Sequence, residues 1–365
     1  MHLPTNQHEL HSPFPDESVD RALLLATLPT LSTPHFLAPV ITFAATHTRQ
    51  RLVIVLFSRF FNTRRSSATL DPSYASTLSI SHTESWGTVQ RLLTFVYVQA
   101  TKIAQDLGRV LMDVDVLLKG LNEDLDGRLG EGMDIVYRIS GDSCAVPLPP
   151  SISMLRQSYL PSGDQHPESQ AASAEGTPAP SQPIPPFYPV VALGGTFDHL
   201  HAGHKILLSM AAWITSQKII VGVTDDALLQ NKANKHVLEK LPQRIERVRG
   251  FLAFFKPGLE YHIVPINDVY GPTGWDPNIQ ALVVSKETLS GAAAIASHRE
   301  AHHLPTLQTY IIDVISATNA SLDHDDAEWL KQTKLSSTFI RQWIVDQSKQ
   351  EEEEDEEEAR VGGKS

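Results

Sequence analysis

Short apolar segments alternate with segments of helical period over residues 187–348, and this alternation is the strongest constraint on the fold. The apolar segments read VVALGG, KIIVGVT, YHIVPI, ALVVS and TYIIDVI. Strands that alternate with helices are typical of βαβ units, which place the strands in a parallel sheet. We therefore predict an α/β fold with a Rossmann-like parallel sheet, in which ligands bind beyond the carboxyl ends of the strands.

The preceding residues predict a smaller α/β domain over residues 1–156. RLVIVLFS at 51–58 and DVDVLLKG at 113–120 have the composition of strands. The segment that begins WGTVQRLLTF has apolar residues at helical spacing. This half carries no recognisable catalytic motif, so the sequence leaves its role open.

Two low-complexity segments bound the second domain. Eight prolines lie between Pro161 and Pro189 among Ser, Ala, Gly and Gln, and such a composition buries too little apolar surface to offset its chain entropy. We predict a disordered linker at 157–186 and a folded domain at 187–348. The charges of EEEEDEEE repel one another, so residues 349–365 are predicted to be a disordered acidic tail, either solubilising or able to dock a basic partner.

Charge and composition exclude several protein classes. EEEEDEEE supplies eight of the twelve net negative charges, and the rest of the chain lacks the basic excess of a nucleic-acid-binding protein. The N-terminal residues do not form a signal peptide, and three prolines interrupt the most apolar early segment, so no membrane span is predicted. The single cysteine, Cys144, excludes an intramolecular disulfide. We expect a cytoplasmic protein that binds neither nucleic acid nor membrane.

The loop GGTFDHLHAGH follows the first strand of the second domain and leads into the helical segment HKILLSMAAWI. Gly194 and Gly195 allow close approach of a ligand to the backbone, and a helix N-terminus is a natural anion site. His199, His201 and His204 could bind phosphate, bind a metal or pack in the core. No glutamate follows as in H-E-x-x-H, and the only cysteine is distant. Phosphate contact, with Thr196 as a further donor, is the reading that we favour.

A second motif, KLSSTFIRQWI, places three hydroxyl residues at the start of an amphipathic segment: Ser336, Ser337 and Thr338. Such residues most often only cap a helix. Together with the histidine loop, however, they would give two helix N-termini that face one crevice and hold a polyphosphate. Arg341, one helical turn further on, either reaches the same phosphates or faces solvent.

Four segments resemble the eukaryotic type of phosphopantetheine adenylyltransferase, in a monofunctional, fungal-like form, within the H-x-G-H nucleotidyltransferase superfamily. They are VVALGGTFDHLHAGHKILLS, IIVGVTDDALL, VPINDVYGPTGWDPNIQALVVSKET and KLSSTFIRQ, in that order over residues 190–345. The chain departs from the family at LSGAAAIASHRE, where the family often has RGG and an asparagine. The resemblance therefore assigns no roles between Ser290 and Ala296, and it does not extend to the first half.

The resemblance implies adenylyl transfer from ATP to 4′-phosphopantetheine, which gives dephospho-CoA and pyrophosphate. The catalytic residues it implies are His201, His204 and Thr196. The ATP-binding residues it implies are Gly194, Gly195, His204, Ser336, Ser337, Thr338 and Arg341. Thr196 and Lys232 would bind the acceptor. Mg²⁺ would be coordinated by oxygens of the substrate phosphates and by water, and no metal-binding residue of the protein is expected. Arg247 either belongs to the site or lies on the exposed surface of a helix. Lys205 is expected to face solvent or to contact a phosphate.

Two other functions remain open on the sequence. One is a sibling cytidylyl- or adenylyltransferase with another phosphate acceptor. The other is a non-catalytic nucleotide-binding scaffold. A G-x-x-x-x-G-K-[ST] phosphate loop is missing from the sequence, so a separate dephospho-CoA kinase is the expected partner. Because the recognisable motifs follow the linker, the first half is expected to be dispensable for the reaction.

Overall fold

The computed structural model describes residues 18–62, 80–142, 146–164, 184–312 and 336–362, and in them two parallel five-stranded sheets. The strands of the first sheet are β1 (Val19–Thr27), β2 (Thr48–Ser58), β3 (Asp113–Gly120), β4 (Ile135–Ile139) and β5 (Arg156–Leu160). Its helices are α1 (Ala38–Thr46), α2 (Trp86–Asp106) and the short α3 (Pro150–Ser153).

The second sheet follows the same plan. Its strands are β6 (Tyr188–Gly195), β7 (Thr215–Thr224), β8 (Glu260–Ile266), β9 (Ala281–Ser285) and β10 (Gln308–Ile312). Its helices are α4 (Ala202–Ile214), α5 (Leu241–Phe255), α6 (Leu289–Ala301) and α7 (Ser337–Gly362). The five predicted strands of this half are confirmed, although the last residues of TYIIDVI, 313–315, lie outside the described residues.

The strand order is β3-β2-β1-β4-β5 in the first sheet and β10-β9-β6-β7-β8 in the second. In each sheet the strand that comes first in the chain is central. The next two strands are added on one side of it and the last two on the other, so the strand order reverses between the first and fourth strands. Ligands of such sheets bind at the carboxyl side of this reversal. In the second sheet that place is the end of β6, where the glycine–histidine loop begins.

Two expected boundaries differ in the structure. Residues 157–160, expected in the linker, belong to β5, which pairs with β4 through its backbone although only Leu160 is buried. Residues 349–362, expected to be disordered, continue α7. Glutamate is a good helix former, and a helix that has already begun at Ser337 extends without a new nucleation cost. The linker from 165 to 183 lies outside the described residues.

The two halves share one continuous apolar core. Helix α2 of the first half packs against α4 of the second, and one buried cluster includes residues of both sheets. At the C-terminal end of α4, the Trp213 ring stacks on His82 with centroids 3.5 Å apart. The Trp213 Nε1 donates a hydrogen bond of 3.0 Å to the His82 carbonyl. Independent folding of the halves therefore stays a prediction, and removal of the first half would expose an apolar face of α4.

Among the described residues, no helix combines the length and the apolar character needed to cross a bilayer.

We expect Trp213→Ala to lower the free energy of unfolding by about 3–5 kcal/mol, because it opens a cavity at the joint between the halves. The ring of Trp213 is 5% exposed and also meets Phe61 edge to face. Urea denaturation measures the change. Met154→Ala is the control, because a side chain that is 86% exposed should contribute less than about 0.5 kcal/mol. Equal losses in both variants would contradict the assignment of Trp213 to the joint.

Candidate active site

The loop between β6 and α4 is shaped by close packing. Phe197 and His199 take positive φ angles of 51° and 43°, and the ring of Phe197 is fully buried. A Cβ atom on Gly195 would lie 3.2 Å from that ring, so glycine gives the ring the room it needs. The loop thereby reaches the start of α4 with His201 as the N-cap residue.

The rings of His201 and His204 stack at the start of α4, with centroids 3.9 Å apart. The Nδ1 atoms of both rings are buried, and neither has a hydrogen-bond partner among the described residues. Burial lowers the pKa of His204 to about 4, against the attraction of the Asp198 carboxylate. Burial, and then the neighbouring His204 and His199, hold the pKa of His201 well below its usual value. Both rings are therefore neutral near pH 7, with hydrogen-bonding capacity that the protein itself leaves unused.

The two sequence motifs meet at Asp198. Its buried carboxylate forms an ion pair of 2.6 Å with Arg341 and accepts a hydrogen bond of 2.9 Å from the Glu239 amide. The Ser337 hydroxyl donates a hydrogen bond of 2.7 Å to the Asp198 carbonyl. The N-terminus of α7 is thereby fixed beside the N-terminus of α4. This is the juxtaposition that the sequence predicts.

Arg341 does not face solvent, which corrects one of its two expected placements. Its side chain is buried, and its Nε donates to the Ala233 carbonyl at 2.9 Å. Another of its nitrogens lies 3.2 Å from the Thr338 hydroxyl. The guanidinium therefore holds the loop and α7 together, and its contact with ATP stays a prediction. Ser336 acts partly as a cap, since its hydroxyl lies 3.4 Å from the Phe339 amide.

Arg244 on α5 is a structural residue of the site that the motifs do not identify. Its fully buried guanidinium donates to the carbonyls of Thr196 at 2.7 Å, Thr224 at 2.9 Å and Glu239 at 2.9 Å, and pairs with Asp226. It ties the loop between β6 and α4 to the end of β7. The signal in the sequence is its place on the apolar face of α5, four residues before Val248, where a charge needs buried partners.

The other basic candidates differ in their surroundings. Lys232 is exposed in the loop after β7, and its backbone amide closes a turn onto Leu229 at 3.1 Å. Arg247 is half-exposed and forms an ion pair of 2.9 Å with Glu239. Lys205 does not face solvent, contrary to one of its two expected placements. Its contact with a phosphate stays a prediction. Its buried ammonium lies between Asp113 and Asp115 of the first half, because these carboxylates stabilise a charge that α4 carries into the interface.

A cleft of about 1020 Å³ opens beside the loop. His199, His201 and Ser336 line one end of it, and Arg51, Asp113 and Leu111 of the first half line another wall. A second, small cavity of about 50 Å³ has Gly194 and Tyr270 among its lining residues. No cluster of three or more His, Cys, Asp or Glu side chains suited to a metal ion occurs in the part of the chain that the structure describes.

Comparison with known proteins assigns the second half to a class. A family model described as cytidylyltransferase-like matches residues 192–343. The phosphopantetheine adenylyltransferase of Saccharomyces cerevisiae is 44% identical over 155 residues, which cover 42% of this chain and 48% of the yeast protein. An uncharacterised protein of Schizosaccharomyces pombe is 42% identical over 157 residues, 43% of this chain and 48% of that protein. The chain thus spans about half the length of these two relatives.

An archaeal relative is matched over most of its length. The phosphopantetheine adenylyltransferase of Pyrobaculum aerophilum is 34% identical over 125 residues, which cover 34% of this chain and 79% of the archaeal protein. With the fold and the meeting of the two motifs, these matches define a nucleotidyltransferase domain. The chain belongs to the phosphopantetheine adenylyltransferase family.

Binding of inorganic tripolyphosphate should take up protons. The rings of His201 and His204 are neutral in the free protein, and an anion against them raises both pKa values. Affinity should therefore rise as the pH falls from about 7.5 to about 6. Calorimetry in two buffers of different ionisation enthalpy measures the uptake.

The matched variants for this measurement are His204→Gln and His303→Gln. The first should reduce the proton uptake, whereas the second removes an exposed histidine of the turn after α6 and should leave it unchanged. An unaltered uptake in His204→Gln would show that the stacked pair is not the group that meets the anion.

Proposed function

We propose that the chain transfers the adenylyl group of ATP to 4′-phosphopantetheine, giving dephospho-CoA and pyrophosphate. The observation that carries this proposal is the meeting of two helix N-termini at Asp198, beside two stacked histidines with unused hydrogen-bonding atoms. Such a place suits a polyphosphate. The family relationship supplies the acceptor.

In the reaction, an oxygen of the acceptor phosphate attacks the α-phosphorus of ATP. The bond from this phosphorus to the oxygen that bridges it to the β-phosphorus breaks, and pyrophosphate leaves. The nucleophile is already anionic near pH 7, so no side chain has to remove a proton. The work of the protein is to align the two phosphates and to stabilise the charge that develops between them.

The stacked histidines are suited to this work. Once a bound polyphosphate has raised their pKa values, the protonated imidazoles offer N–H donors on both ring nitrogens, and donors fixed in a dry site stabilise developing charge without reorganising. His204 and His201 would contact the α-phosphate and the leaving oxygens, and Thr196 would contact both phosphates. Gly194 and Gly195 would let the nucleotide approach the backbone. Ser336, Ser337 and Thr338 would present the N-terminus of α7 to the outer phosphates, with Arg341 behind them, and Lys232 would hold the acceptor.

Mg²⁺ would neutralise charge on the triphosphate. The carboxylates near the loop already have partners: Asp198 binds Arg341, and Glu239 binds Arg247. This donor set fits an ion held by phosphate oxygens and water rather than by a protein cage.

We further propose that the protein acts in the cytoplasm and that a separate dephospho-CoA kinase uses its product. The sequence contains no G-x-x-x-x-G-K-[ST] segment of the kind that cradles a phosphate donor in such kinases.

The decisive experiment incubates the purified chain with ATP and 4′-phosphopantetheine and follows pyrophosphate release and product mass. Dephospho-CoA with stoichiometric pyrophosphate is expected. Parallel reactions with CTP, and with nicotinate mononucleotide as acceptor, test the sibling activities. Release only with one of these would replace the proposal, release with none would favour a scaffold, and formation of coenzyme A itself would contradict the need for a separate kinase.

His204→Ala should lower kcat by about 10²–10³ and change either KM much less, because its hydrogen bond strengthens as charge develops. Steady-state kinetics with each substrate varied measure this effect. Near-normal turnover would remove His204 from the mechanism.

Lys232→Ala is the matched variant with the opposite signature. It should raise KM for 4′-phosphopantetheine and leave KM for ATP within about twofold, since a lost ground-state contact acts on binding. A selective rise in KM for ATP would contradict acceptor binding by Lys232.

A further inference from the structure

The residue directly after His204 is anchored in the other half of the chain. Lys205 is 3% exposed, and its ammonium donates to Asp113, to the Val114 carbonyl at 2.8 Å and to Asp115 at 2.6 Å. These three acceptors lie at the start of β3. All three hydrogens of the ammonium are thus used on one strand of the first half.

This anchor continues into a larger charged cluster. The second oxygen of Asp115 accepts a bond of 2.8 Å from Arg51 on β2. The Arg51 guanidinium lies 5.3 Å from the centre of the Phe254 ring on α5. Two strands of the first half therefore hold two helices of the second. A buried ammonium that lost a partner here would be left with an uncompensated charge, so the cluster fixes the relative position of its members.

The anchor lies on the turn of helix that carries the stacked histidines. The Lys205 amide donates a bond of 2.9 Å to the His201 carbonyl, which is the first bond of α4. His201, His204 and Lys205 thus belong to one rigid turn. Displacement of this turn would move both imidazoles, and such displacements cost much of the rate in aligned phosphate chemistry.

We propose that the first half of the chain positions the phosphate-binding turn of the second half, with Asp113, Asp115 and Lys205 as positioning residues. The proposal rests on the proposed function in taking phosphate as the ligand of the histidines. It gives a role to a half of the chain that carries no catalytic motif. It also predicts that this half cannot be removed without a loss of phosphate affinity.

The other joint between the halves provides a matched control. His82 meets Trp213 at the opposite end of α4, nine residues along the chain from His204. His82→Ala should weaken the interface without disturbing the histidine pair. Asp115→Asn weakens the interface at the turn that carries the pair. If the cluster around Lys205 only stabilised the fold, both variants would reduce tripolyphosphate affinity and kcat to the same extent when they lower the free energy of unfolding equally.

The test compares full-length wild type, Asp115→Asn and His82→Ala in tripolyphosphate calorimetry, steady-state kinetics and urea denaturation. We expect Asp115→Asn to weaken tripolyphosphate binding and lower kcat by roughly 10- to 100-fold. His82→Ala should leave both within about twofold. Equal effects in the two variants, or no effect of Asp115→Asn, would overturn the proposal.

Two further variants keep the test decisive if Asp115→Asn does not fold. Asp113→Ala removes a carboxylate that is half-exposed, and it should weaken tripolyphosphate binding in the same direction and by less. Lys205→Arg keeps a charge between the aspartates and should retain more affinity than Lys205→Met. Equal affinity in the arginine and methionine variants would overturn the proposal.

Titration of the imidazole resonances gives an independent readout. A loosened turn admits water to His201 and His204, so their pKa values should rise toward 6.5 in Asp115→Asn and not in His82→Ala.

Tripolyphosphate binding does not depend on the acceptor. If wild type binds tripolyphosphate but transfers no adenylyl group, the proposed function fails while the positioning role is still decided by the variants.

Discussion

The buried ion pair between Asp198 and Arg341 is the contact on which the site depends. It joins the loop after β6 to the helix α7, whose residues lie more than a hundred positions later in the chain. Each partner of the pair has a further hydrogen bond: the Asp198 carboxylate accepts from the Glu239 amide, and Arg341 donates to the Ala233 carbonyl. Such additional hydrogen bonds are what a buried ion pair needs to keep its geometry. Removal of either partner would leave a charge buried without compensation and separate the two helix N-termini.

The site combines a rigid frame with polar atoms that lack partners. Arg244, Asp198 and Arg341 use their hydrogen-bonding groups on the protein itself. The stacked histidines do not, and burial keeps both rings neutral. Unused polar atoms in a buried place cost stability. The frame is therefore stabilised by residues that have partners within the protein, whereas the two stacked imidazoles keep polar atoms without partners among the described residues.

The two sheets have the same strand order, yet they serve different purposes. The central strand of the second sheet leads into the loop that precedes the stacked histidines. The first sheet contributes the start of β3, where two aspartates receive the ammonium of Lys205. Together with the shared apolar core and the stack of His82 on Trp213, this contact makes the halves one body around α4. The first half, which carries no recognisable catalytic motif, thus holds the helix that carries the stacked histidines.

The sequence by itself determined the strands of the second sheet, the loop after β6 and the hydroxyl-rich start of α7, because apolar periodicity and helix-start chemistry are local properties. The family resemblance, rather than a local pattern, implied that the two motifs share one crevice. Only the tertiary structure decided the partners of the charged residues. In the sequence, each of three basic residues could lie on an exposed helix surface. In the structure, each is buried against acceptors that are distant along the chain: Lys205, Arg244 and Arg341. Whether a charged side chain can be buried depends on which groups from distant parts of the chain pack beside it. A local sequence pattern does not specify those groups.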